Sequence, residues 1–136
     1  MHIATSAAVG TLLFMASAAH VVAHHSFASE FDINRPIQLT GTVTKVEWIN
    51  PHAWIHVDVK KPDGTIENWA IETGTPNTLL RRGLKKTDLP AGTALKVSGY
   101  QARDGTAKAN GVNVTLPDGR ALQIGSGGVG APPENR

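Results

Sequence analysis

The chain has 136 residues, no cysteine, 13 Lys and Arg against 11 Asp and Glu, and a formal net charge of +2. Without cysteine it has no disulfide, no thiolate metal site and no lipid attached through a thiol, so a domain of this size must hold together by packing alone. The small basic excess is far from the dense Lys/Arg patch that nucleic-acid binding requires, and nucleic acid is not an expected partner.

Residues 1–23 carry no Lys, Arg, Asp or Glu, and the apolar stretch from Val9 to Met15 is followed by small residues. This predicts a secretory signal peptide over 1–23, the stretch being short for a bilayer span. Its n-region offers only His2 where a Lys or Arg is usual. Val21-Val22-Ala23 is one cleavage motif, which would leave His24 first, and Ala16-Ser17-Ala18 is another, which would put His20 near the terminus. The rival reading is an uncleaved anchor. An exported chain without cysteine fits a bacterial periplasm, or secretion, with no membrane span after leader removal. The chain beyond the leader is long enough for one core and too short for two.

After a polar, mixed stretch from Ser26 to Arg35, the alternation of Ile37, Leu39, Gly41 and Val43 predicts a half-buried strand. Val46 and Trp48 then fall on the opposite parity, which predicts a bulge near Thr44 and Lys45 that bends one long strand for a closed sheet. Asn50-Pro51-His52 should turn the chain, because proline fixes φ and keeps its predecessor out of helix. In the next strand, Trp54 to Lys60, Ile55, Val57 and Val59 take the core face, and Trp54, His56 and Asp58 the other. Lys61-Pro62-Asp63-Gly64 supplies hairpin chemistry, and Ile66 to Glu72 follows with Trp69 and Ile71 on one face.

Thr75-Pro76 reads as an N-cap with proline at the first helical position, Asn77 to Arg82 as a short helix, and Gly83 as its stop. A loop over Leu89 to Thr93, a strand with Leu95, Val97 and Gly99, a turn at Asp104-Gly105 and a strand with Val112, Val114 and Leu116 come next. A last hairpin at Pro117-Asp118-Gly119 leads to Leu122 and Ile124. Three strands, a helix and two or three further strands predict a mainly β fold, a small five- to six-stranded OB-like barrel over 24–124, with a simple sandwich as the alternative. The Gly- and Pro-rich tail over 125–136 is expected to be disordered.

His24 and His25 sit at the first cleavage point. A free N-terminal histidine chelates through its amine and Nδ1, and a nitrogen set of this kind suits Cu(II), which heads the divalent affinity order. The plainer alternative is a solvated pair. His52, in a turn at the barrel rim, is the candidate third ligand, against an imidazole that merely bonds a nearby carbonyl. His56 is a poor partner for it, because four residues of strand separate the two Cα atoms by about 13 Å at ~3.3 Å per residue. Trp48 and Trp69 fall on core parities. Trp54 shares its face with His56 and Asp58, so His52, Trp54, His56 and Asp58 form the candidate ligand surface. Arg81, Arg82, Lys85 and Lys86 cluster where cations complement a helix C-terminus, which is explanation enough for them. Glu47, Asp58, Glu67 and Glu72 show no readable pairing, and there is no Ser/His/Asp order, phosphate loop or zincin motif, so no catalytic residue is assigned.

His24-His25-Ser26-Phe27, Phe31-Asp32, Gly41-Thr42-Val43, Glu47-Trp48-Ile49-Asn50-Pro51-His52-Ala53-Trp54, Pro76 to Gly83, Gly99 to Gly105 and Leu116 to Gly119 together resemble an uncharacterised bacterial family of exported domains of unknown function. The resemblance implies a periplasmic single β domain that opens at or near His-His-Ser-Phe, and it assigns no activity. The leader departs from the usual pattern in lacking a basic residue.

The expected function is therefore an exported binding module without catalysis of its own, taking a small ligand or a protein partner of the periplasm. The alternative is a copper-binding protein using His24, His25 and His52. A redox or oxygen-activating enzyme on such a copper is a third reading, for which the sequence offers no supporting second layer of residues.

Overall fold

The computed structural model describes residues 27–127; the expected leader, His24 and His25, and the tail from residue 128 lie outside the described residues. A one-turn helix, α1 (Phe27–Glu30), leads into strand β1 (Phe31–Glu47), which starts earlier than the alternation at Ile37 suggests. The polar run Asp32 to Arg35 hid this beginning. Pro36 fits in a strand because the register with the neighbouring strand shifts between Phe31 and Pro36, where a ladder donor is not needed.

β2 (Trp54–Lys60) and β3 (Ile66–Glu72) complete an antiparallel meander with β1. The bulge falls where the parity slips: Val43 pairs with Val57 and Lys45 with His56, leaving Thr44 extra. Its hydroxyl donates to the His56 carbonyl at 3.3 Å, and the strand bends there. Helix α2 (Pro76–Arg81) follows, capped by the Thr75 hydroxyl, which accepts from the Thr78 N–H at 3.1 Å. A 3-10 turn at Lys86–Asp88, not expected from the sequence, lies before β4 (Ala94–Ala102), β5 (Lys108–Thr115) and β6 (Ala121–Gln123).

β4 pairs antiparallel with both β1 and β5, and β5 pairs parallel with β3, so a ring of hydrogen bonds passes through β1, β2, β3, β5 and β4. That order, with the helix between the third and fourth strands, is an OB-like barrel. β6 adds to β5 outside the ring. Ile55, Val57, Ile71, Leu79, Val97, Val114 and Ile124 fill the interior, with Trp69 buried and Trp48 half-buried against them. A separate small cluster joins Phe27, Phe31 and Ala102 to Tyr100. Beyond β6, Gly125 accepts from the Arg82 guanidinium at 2.8 Å and Ser126 from the Asn110 amide at 2.9 Å, which ties the chain to the barrel as far as these residues. No helix among the described residues is long and apolar enough to cross a membrane.

Candidate functional site around His52 and Trp54

Two registers determine what faces Trp54. Across β2 and β3 it pairs with Glu72, and across β1 and β2 with Glu47. Directly opposed residues share a face, so a half-buried tryptophan stands between two carboxylates on the side away from Ile55 and Val57. His56 and Asp58 continue the same face along β2.

His52 is positioned by a latch beside it. Ala53 donates to the Gly74 carbonyl at 3.1 Å, while the Thr73 N–H and hydroxyl both donate to the Ala53 carbonyl at 2.9 Å. Thr73 is fully buried, so this latch is shielded from water. His52 Nδ1 then lies 3.0 Å from the Thr73 carbonyl and 3.2 Å from Glu72 Oε1. A carbonyl only accepts, so Nδ1 carries the proton, and in the neutral ring Nε2 keeps its lone pair. This carbonyl contact is the plainer role foreseen for His52, and it is also how metal-binding histidines are held from behind.

The carboxylates along the rest of the face are paired. His56 Nε2 donates to Glu47 Oε2 at 2.6 Å, and this hydrogen bond, helped by Lys45 at 3.5 Å, holds the Glu47 carboxyl below its ordinary value. The Asn68 amide donates to Asp58 at 2.9 Å and to the Thr44 hydroxyl at 3.3 Å. Glu47 and Glu72 are the members that sequence reasoning missed. The signal was available for Glu72: folding the chain about Asp63-Gly64 brings Trp54 opposite residue 72.

Among the described residues no three His, Cys, Asp or Glu side chains are grouped to hold a metal. His52, Trp54, His56 and Asp58 thus line one face, with His52 at its end, and a metal at His52 would need ligands from His24 and His25. Those two lie outside the described residues, but the chain just after them is anchored. Phe27 is 3% exposed, with its ring centroid 5.7 Å from those of Phe31 and Tyr100. Tyr100 pairs with Asn110, and Asn110 with Glu72. Two strand spacings, roughly 10 Å, therefore separate Tyr100 from Glu72, the residue beside His52.

The basic cluster is partly committed to structure: Arg82 holds Gly125, and the Arg81 guanidinium donates to the Thr78 hydroxyl at 3.2 Å. No curated protein and no solved structure matches the chain. A family model described as a family of unknown function (DUF6152) matches residues 12–113, well over half of the chain and the whole of the face just described, and the chain belongs to that family.

Proposed function

We propose that this protein is an exported, periplasmic binding module without catalysis of its own, which recognises its ligand on the face formed by His52, Trp54, His56 and Asp58. The observation that carries the reading is Trp54, held half-exposed between Glu47 and Glu72 with a histidine against each carboxylate. An aromatic ring among fixed polar groups offers apolar contact area together with orientation, as ligand sites do. Native mass spectrometry of the mature protein after exposure to a periplasmic extract tests it. The wild type should retain an adduct that a folded Trp54→Ala variant loses, and identical adducts on both would overturn the assignment.

The copper reading is favoured by a different observation, the partly exposed imidazole of His52 with its Nδ1 backed by Thr73 and Glu72, which leaves Nε2 as the ligating nitrogen. If cleavage follows Ala23, His24 and His25 precede the anchored Phe27 by only two or three residues, a reach of about 7–10 Å for extended chain. That is compatible with closure of a His24, His25 and His52 set on Cu(II). Adding one residue before His24 should abolish tight Cu(II) binding by moving the amine out of the chelate, and unchanged affinity in the extended protein would eliminate the chelate.

A further inference from the structure

Across β1 from Asp58, which pairs with Thr42 as Thr42 does with Ala94, the outer face of β1, β4 and β5 differs in character from the face around Trp54. Gln38 pairs with Ser98 and Ser98 with Asn113; Thr40 pairs with Lys96 and Lys96 with Thr115. These six residues line a cleft of about 240 Å³. A second cleft of about 320 Å³ adjoins it, shares Thr40, Lys96 and Thr115, and adds the apolar Ala94, Leu116 and Pro117.

The geometry points to a second ligand site here, centred on Lys96, for a small monocarboxylate that carries hydroxyl or amide groups. Around Trp54 the polar side chains bond one another. By contrast, the six polar side chains of this cleft have no hydrogen-bond or ion-pair partner among the described residues. They present hydroxyls, two amides and an ammonium to one shared space, a set of donors and acceptors left for something other than the protein.

The charge selects the ligand class. No Asp or Glu lines either cleft, so Lys96 supplies one uncompensated positive charge. A single ammonium matches a single carboxylate, with the Thr40 and Thr115 hydroxyls on the same row able to donate to its oxygens. A phosphate dianion would call for a second cation or a nest of backbone N–H groups, and neither lines the cleft. The amides of Gln38 and Asn113 and the hydroxyl of Ser98 suit hydroxyl or amide substituents on one side of the carboxylate. Ala94, Leu116 and Pro117 suit a short apolar group on the other. The site shares no residue with the His52 face, and its strand-β1 residues precede the Thr44 bulge, whereas Lys45 and Glu47 follow it.

D-Galacturonate, a hydroxyl-rich monocarboxylate, is the probe, with uncharged galactose as control, in an NMR titration of backbone amides. Galacturonate should shift the amides of Gln38, Thr40, Lys96, Ser98, Asn113 and Thr115 with saturation at millimolar concentration. Lys96→Gln should weaken binding about tenfold, as loss of a charge-assisted bond does, while Lys60→Gln, an exposed lysine outside the cleft, should match the wild type. No saturable shift, equal shifts with galactose, undiminished binding by Lys96→Gln, or shifts confined to the His52 and Trp54 face would each overturn the site.

Discussion

Glu72 touches His52 from behind, and its removal separates a structural role from a metal-supporting one. On the copper reading, Glu72→Ala should lower Cu(II) affinity about 10- to 100-fold, the usual cost of losing a carboxylate behind a ligating histidine. Glu67→Ala, on the same strand, should leave that affinity unchanged, and competition against a chelator measures both. Trp54 and Trp69 offer a parallel contrast. Trp69 is 8% exposed in the core, so Trp69→Ala should cost about 3–5 kcal/mol in urea unfolding, whereas Trp54→Ala on the outer face should cost roughly 1–2 kcal/mol. Equal losses would place Trp54 in the core and remove it from any ligand surface. The face of Trp54 could be read from alternation alone, because Ile55 and Val57 left it no other side. The carboxylate behind His52 could not be found that way, since it lies 20 residues along the chain and its place depends on a hairpin register that the turn residues fix.

Three turns repeat one device. In Asp63-Gly64-Thr65, Asp104-Gly105-Thr106 and Asp118-Gly119-Arg120, the aspartate Oδ1 accepts from the N–H two residues on at 2.9 to 3.0 Å. The glycine between has φ of 88°, 76° and 88° respectively. Type I turns followed by a left-handed glycine join strands with the twist a sheet requires. The Thr65 and Thr106 side chains, each followed by its own backbone N–H, hold Asp63 and Asp104 below the ordinary aspartate value of 3.8, and the Arg120 backbone N–H, followed by its guanidinium, does so for Asp118. A carboxyl depressed on folding takes up its proton later than in the unfolded chain, so the stabilisation is fully present above 3.8 and is lost as pH falls through the depressed values. Thermal midpoints followed by circular dichroism should therefore decline from about pH 4 downward. Asp104→Asn, which keeps the turn but does not titrate, should flatten part of that decline, and a profile unchanged by the substitution would sink the assignment. Elements with such local chemistry were legible: the Asp-Gly turns, the Thr75-Pro76 cap and the Thr44 bulge each leave a mark within a few residues. The early start of β1 was not, because Phe31 pairs with Ala102, far away in sequence, while the residues between it and Pro36 carry no alternation of their own.

Closure of the barrel depends on contacts that carry no local signal at all. β3 meets β5 in parallel through Ala70, Ile71 and Glu72 against Lys108, Ala109 and Asn110, with no turn to announce the pairing. The β4 to β5 register shifts between Ser98 and Gly99, and there the backbones approach so closely that a Cβ on Gly99 would stand 2.1 Å from the Asn110 carbonyl oxygen. In sequence, Gly99 simply continues the alternation of Leu95 and Val97, which conceals that requirement. A Cβ on Gly111 would meet the Ile71 Cγ2 and Ile124 Cδ1 methyls at 2.7 and 2.8 Å, core side chains that can repack at a cost, whereas the Asn110 carbonyl belongs to the ladder itself. Gly99→Ala should therefore part β4 from β5 and break the ring, costing about 3 kcal/mol or more, against roughly 1–3 kcal/mol for repacking around Gly111→Ala. Urea titrations of the two variants give the order directly. If Gly111→Ala proved the worse, the tight point of the barrel would lie in its side-chain core and not at the crossing of its backbones.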